Sequence, residues 1–127
     1  MLNKEEIIRL LKEAAFDAGE YWVMSGAAMV LYGIRDVTRD IDLGCTSKLA
    51  DELEGRGYPS EVLSDGSRRI VFSEEIELFE NWIEDQAVLL EGIPAVSLKG
   101  LIRMKEKLGR EKDRNDILLI KEHLAKC

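Results

Sequence analysis

Histidine is all but absent from this chain: His123 is the only one in 127 residues. It stands near the C-terminus with no serine or cysteine motif in company, so a Ser-His-Asp type of hydrolase lacks its parts. Cysteine is almost as scarce. Cys45 and Cys127 are the only two, far apart in the chain, which excludes a disulfide framework or a zinc cluster and points to a reducing cytoplasm. No apolar run approaches the roughly 20 residues of a membrane span. The first residues, Met1-Leu2-Asn3-Lys4-Glu5-Glu6, read as an acidic helix start rather than a secretory signal, so no membrane partner is expected. Positive charge is in deficit, with a net charge of −7. That opposes nonspecific nucleic-acid binding, which relies on a basic surface.

What is present is a chain of 46% hydrophobic and 34% charged residues, the balance of a globular protein. Its length suits one domain, 1–127, able to bury roughly two-thirds of its unfolded surface. The charge is unevenly spread. Residues 1–96 hold 9 basic and 20 acidic side chains, a net of −11, whereas residues 97–127 hold 9 basic and 5 acidic, a net of +4. A basic segment beside an acidic one is what a metal-bound polyphosphate would favour, and it is also what ordinary solvated helices would give.

The stretch VMSGAAMVLYGIRDVTRDIDL, residues 23–43, organises the rest. It reads as a strand over Tyr21 to Met24, a small-residue turn at Ser25-Gly26, and a helix over Ala27 to Tyr32 that Gly33 stops. A charged connection then leads into a second strand from Asp40. The turn leaves N–H groups free at a helix start, where anions bind. On the second strand, Asp40 and Asp42 share a face while Ile41 and Leu43 enter the core. Two carboxylates about 5 Å apart repel by about 3 kcal/mol at an effective dielectric near 20. A hard divalent cation, Mg²⁺ or Mn²⁺, removes that penalty. An Asp-x-Asp on the wet face of an edge strand needs no such ligand, and the upstream turn is what tilts the balance.

These residues together, Met24-Ser25-Gly26, thirteen intervening positions, then Asp40-Ile41-Asp42-Leu43, resemble the signature of the nucleotidyltransferase superfamily, the polymerase-beta-like fold. The resemblance is to its small stand-alone form, related to abortive-infection and minimal antitoxin-type nucleotidyltransferases. The run Tyr32-Gly33-x-Arg35-x-x-Thr38-Arg39 is similar to that subgroup too. The turn departs from the pattern, being Ser-Gly where the family has Gly-Gly or Gly-Ser. A haloacid-dehalogenase-type phosphatase also uses Asp-x-Asp, but it wants Thr or Val two residues after the second Asp, where this chain has Gly44.

The resemblance implies transfer of a nucleoside monophosphate from a nucleoside triphosphate to an acceptor hydroxyl, with Asp40 and Asp42 as metal ligands. Such chemistry needs a third acid from a neighbouring strand. Glu77, in Ile76-Glu77-Leu78, matches the family's third position, which implies that it ligates one of two metal ions and helps deprotonate the acceptor, with Glu74, Glu75 and Glu80 as competitors. Ser25 and Gly26 are expected on the phosphates. Lys105 occupies the apolar stripe of its helix, where a lysine either snorkels to solvent or aims into a cleft; relatives place such a lysine on the phosphates. Arg39, or Arg35, is a further phosphate candidate. Gly109-Arg110-Glu111-Lys112-Asp113 resembles a Gly-Arg-x-Lys-Asp segment that puts Lys112 at the nucleotide, although a Lys112–Asp116 helix pair explains it equally. The acceptor stays open among an RNA end, a protein side chain and a small molecule. The competing class is a catalytically degenerate module that binds a nucleotide or a toxin partner.

Elsewhere, Asn3 and Glu6 suggest a capping box opening a helix that ends at Gly19. Thr46 or Ser47 caps a helix to about Gly55, and Tyr58-Pro59 forbids its continuation. Strands are expected near Glu61–Leu63, Arg68–Ser73, Ile76–Phe79 and Ala87–Leu90, with a turn at Gly92-Ile93-Pro94. Ser97 should cap a helix through Leu108, broken by Gly109. A last helix should bury Ile117, Leu118, Ile120 and Leu124. The expected fold is α+β: a short mixed sheet with helices packed on it and two C-terminal helices closing a cleft.

Overall fold

In the computed structural model, residues 1–126 are described. Helix α1 (Lys4–Ala14) opens on the capping box, with Asn3 accepting the Glu6 N–H at 2.9 Å and Glu6 accepting the Asn3 N–H at 3.1 Å. It ends before Gly19, because Ala15 takes a left-handed conformation and returns its N–H to Leu11. Strand β1 (Tyr21–Met24) runs straight into α2 (Ser25–Leu31), whose residues from Ala27 onward are buried. Strand β2 (Ile41–Cys45) follows the charged connection, and α3 (Ser47–Gly55) is capped by Thr46. The hairpin of β3 (Ser60–Val62) and β4 (Arg68–Val71) precedes β5 (Ile76–Glu80). A second hairpin, β6 (Ala87–Leu90) and β7 (Ile93–Val96), leads to α4 (Leu98–Leu108) and α5 (Glu111–Lys126).

The strands form one mixed sheet in the order β3-β4-β5-β2-β1-β7-β6. Strand β2 lies at its centre, antiparallel to β1 and parallel to β5. The core gathers Ile41, Leu43, Ile70, Leu78 and Val23 from the sheet, with Ile7, Met29, Leu53, Leu101 and Ile120 from the helices, each wholly or almost wholly buried. The α+β expectation therefore holds, with a mixed sheet and helices packed against it. No helix among the described residues is long and apolar enough to cross a membrane.

Two further elements differ from the sequence reading. Ile93-Pro94 is strand rather than turn: only Glu91 and Gly92, both at positive φ, make the reversal, and β7 is buried along its whole length. Proline donates no ladder hydrogen bond and argues against an inner strand. Here β7 meets β1 in a single register pair, Val23–Ala95, beside the proline. Helix α5 is the second difference. Its inward residues are Asp113, Asp116 and Ile120, while Leu118 and Leu124 are exposed. The apolar stripe was misplaced because the face that turns inward carries two acids, whose partners lie on other elements.

Candidate active site

The β2 backbone sets the acids. Ile41 and Leu43 are fully buried and Asp42, between them, points the other way. Asp40 precedes the strand, where its carbonyl accepts a long hydrogen bond from Thr38 Oγ1 at 3.4 Å. The parallel register with β5 places Asp42 directly beside Glu77. Burial first, then the charges of Asp40 and Glu77, push the Asp42 carboxyl up to about 6, against the opposing pull of Arg69 and Lys112.

Glu77 is differently served. Its two carboxylate oxygens accept from Arg69, Oε1 from Nη2 at 2.6 Å and Oε2 from Nε at 3.2 Å, and Arg69 also donates to Glu61 at 2.8 Å. Among the described residues no three acids, histidines or cysteines converge closely enough to hold a metal ion. The hard oxygen donors of Asp40 and Asp42 nevertheless suit a hard cation. The competitor Glu80 is occupied elsewhere: Arg68 hydrogen-bonds it and holds its carboxyl down to about 2.

At the first residue of α2, where a separate turn was expected, Ser25 adopts φ +60°, a left-handed conformation that costs an L residue roughly 1–2 kcal/mol. Gly26 is favoured for a different reason. A Cβ there would lie 2.7 Å from Thr38 Oγ1 and 2.9 Å from Arg35 Nη1. The Ser-Gly order thus puts glycine where the 34–39 connection presses closest and leaves the strained φ to serine.

The helices α4 and α5 supply the basic wall. Lys105, only 4% exposed, does not snorkel. Its Nζ donates to Asp116 Oδ2 at 3.0 Å and lies 3.9 Å from Asp113. Asp116 takes Arg35 on its other oxygen at 2.8 Å, so its partners are Lys105 and Arg35 rather than Lys112. Arg110 grips both oxygens of Asp113, at 2.6 and 3.1 Å, and holds that carboxyl below its ordinary range.

One cavity of about 450 Å³ collects these groups. Of the residues expected from the sequence, Ser25, Gly26, Arg39, Asp40, Asp42, Lys105 and Lys112 line it, and Glu77 does not. Asp113 and Asp116 also line it, and their part as buried clamps was missed. The signal for it was present: acids three apart at the start of α5, facing a lysine in the apolar stripe of α4.

By its likeness to solved structures, the chain has a nucleotidyltransferase-like fold. Two solved structures share it. One is a Thermotoga maritima protein, TM1012, provisionally described as a nucleotidyltransferase: TM-score 0.64 and 15% identity, over 99% of this chain and 97% of that one. The other is the lincosamide antibiotic adenylyltransferase LnuA in its lincomycin-bound form: TM-score 0.56 and 20% identity, over 91% of this chain and 92% of that one. No protein-family model and no curated protein sequence matches the chain.

Proposed function

We propose that this protein is a metal-dependent nucleotidyltransferase that moves a nucleoside monophosphate from a nucleoside triphosphate to an acceptor hydroxyl. The supporting observation is the single cavity in which the under-neutralised pair Asp40 and Asp42 faces Arg39, Lys105, Arg110 and Lys112. The adenylyl transfer named for LnuA is consistent with this reading and makes ATP the first nucleotide to try.

In the proposed reaction Arg39 and Lys112 bind the triphosphate as charges. Lys105 and Arg110, fixed by Asp113 and Asp116, act as a rigid positive floor, and Ser25 and Gly26 offer backbone N–H groups. Asp40 and Asp42 would hold Mg²⁺ or Mn²⁺, which when bound supplies charge neutralisation at the reacting phosphate. The acceptor oxygen bonds to the α-phosphorus, the bond from that phosphorus to the bridging oxygen breaks, and pyrophosphate leaves. The hydroxyl proton passes to Glu77 and then to solvent, which requires Arg69 to release that carboxylate. Positioning and charge do the work, so geometry fixed by the fold is what counts.

The reading is tested by pyrophosphate release from each nucleoside triphosphate with Mg²⁺ and a panel of hydroxylated acceptors, for wild type and Asp40→Ala/Asp42→Ala. Release that the double variant abolishes supports it. Binding without release under any acceptor supports instead a non-catalytic module that holds a nucleotide or a toxin partner, the reading to which the Arg69–Glu77 pair gives its one observation.

A further inference from the structure

A second, less charged depression adjoins the polar cavity. Its inner lobe, about 200 Å³, shares Ser25, Asp42, Lys105 and Arg110 with that cavity and is otherwise walled by Met24, Phe79, Trp82, Leu101, Met104 and Leu108. An outer lobe of about 330 Å³ shares Trp82, Met104 and Leu108 with the inner one. The two lobes together reach the roughly 300–1,000 Å³ usual for small-molecule sites, and their mainly apolar walls suit one.

Trp82 is the residue around which this trough is built, and it is fixed from several sides. Its ring N–H donates to Ser67 Oγ at 3.0 Å, its ring packs on Phe79 at 4.8 Å, and its carbonyl accepts the Trp22 ring N–H at 2.7 Å. Gly44 makes room for that last bond, since a Cβ there would fall 1.8 Å from Trp22 Nε1. Asn81, at φ +59°, turns the chain out of β5 so that Trp82 folds back. A side chain held this firmly is preorganised as a wall, which lowers the cost of binding against it.

The charges decide what the trough can take. The outer lobe carries Asp65, Glu84 and Lys107, and Lys107 is ion-paired to Glu84, leaving the acid Asp65 in excess. A polyanion would meet no unpaired base there, whereas nucleic-acid grooves are basic. We propose that this trough is the acceptor subsite, and that it takes a small neutral or cationic organic molecule whose apolar body lies on Trp82 and Met104 and whose hydroxyl reaches the Asp42 end. The proposal rests on the nucleotidyl-transfer reading, and the atoms balance as in that reaction: one ester bond to the α-phosphorus forms, one pyrophosphate is released, and the hydroxyl proton goes to a site carboxylate.

The test uses methyl-¹³C-methionine protein, because Met24 and Met104 line the trough while Met29 lies fully buried in the core. Hexyl glucoside (neutral) and phenylalaninol (cationic) are titrated against an RNA pentanucleotide, with ATP–Mg²⁺ binding measured separately. Saturable shifts of Met24 and Met104, but not Met29, by either small probe are expected. Leu108→Glu, at a half-exposed position, should weaken hexyl glucoside about fivefold by removing apolar contact. Binding of ATP with no shift from either small probe, or shifts from the pentanucleotide at lower concentration, overturns the subsite while leaving the transfer reading in place. Failure of ATP itself to bind removes the transfer reading and the acceptor assignment with it.

Discussion

Asp40 and Asp42 on one side, and Asp113 and Asp116 on the other, border the same cavity and are treated in opposite ways. The α5 pair is buried, and three bases from outside that helix (Arg35, Lys105 and Arg110) satisfy it. The β2 pair has no ion pair among the described residues, and burial, then the neighbouring charges, push its inner member up toward neutrality. Acids that the fold neutralises serve the fold. Acids that it holds together without neutralising leave a charge demand for something outside the chain to meet.

The sharpest way to break this contrast is to delete each pair. Asp40→Ala/Asp42→Ala should lower turnover at least about 1,000-fold, about 4 kcal/mol of barrier, with an unchanged or raised melting temperature. Asp116→Ala should do the reverse in kind. It leaves buried Lys105 only the longer contact with Asp113 and should cost about 3 kcal/mol of stability, the lower end for a broken buried pair, visible in urea unfolding before any assay is run. Equal loss of stability in the two variants would erase the distinction.

Glu77 tests the middle ground, as an acid in register with Asp42 but neutralised by Arg69. Glu77→Gln should keep Mg²⁺-dependent nucleotide binding yet slow turnover about 100-fold, the lower end for loss of a proton acceptor. Unchanged turnover would make Glu77 a purely structural partner of Arg69.

The pH dependence of stability should separate the pairs again. Asp42 is raised to about 6 in the fold from 3.8, so the native state holds its proton longer than the unfolded chain. Metal-free protein should therefore lose about 1–3 kcal/mol as pH rises from about 4 to about 6, and Asp42→Asn should remove that fall. Asp113 is lowered and acts with the opposite sign: its contribution is present above the ordinary carboxylate range and is lost on acidification below it. Smallest of all, Ser25→Gly should relieve the left-handed strain and stabilise by about 0.5–1 kcal/mol in urea unfolding.

The sequence was most readable where the candidate site is local. Strand β2, its acid pair and the preceding turn lie within one short stretch, and alternation of apolar and acidic residues specifies which way each points. The capping residues Asn3, Thr46 and Ser97 marked three helix starts in the same local way. The α5 face was not readable from its own periodicity, because Asp113 and Asp116 are inward only by virtue of Lys105, Arg110 and Arg35, two of them outside that helix's neighbourhood. Strand β7 was hidden by Pro94, whose tolerance depends on how briefly β7 pairs with β1. Trp82 reads from the sequence as a core or cleft wall, but the shape of its trough was hidden, because it depends on Gly44, Trp22 and Ser67, distant in the chain and brought together by the fold.

The most direct measurement is a calorimetric titration of ATP into wild type and Asp40→Ala/Asp42→Ala, with Mg²⁺ and with chelator. The account predicts binding that needs both the metal and the acid pair, in two proteins that unfold alike. Nucleotide binding that survives chelation and the double substitution, or no binding of any nucleoside triphosphate by folded wild type, would contradict it.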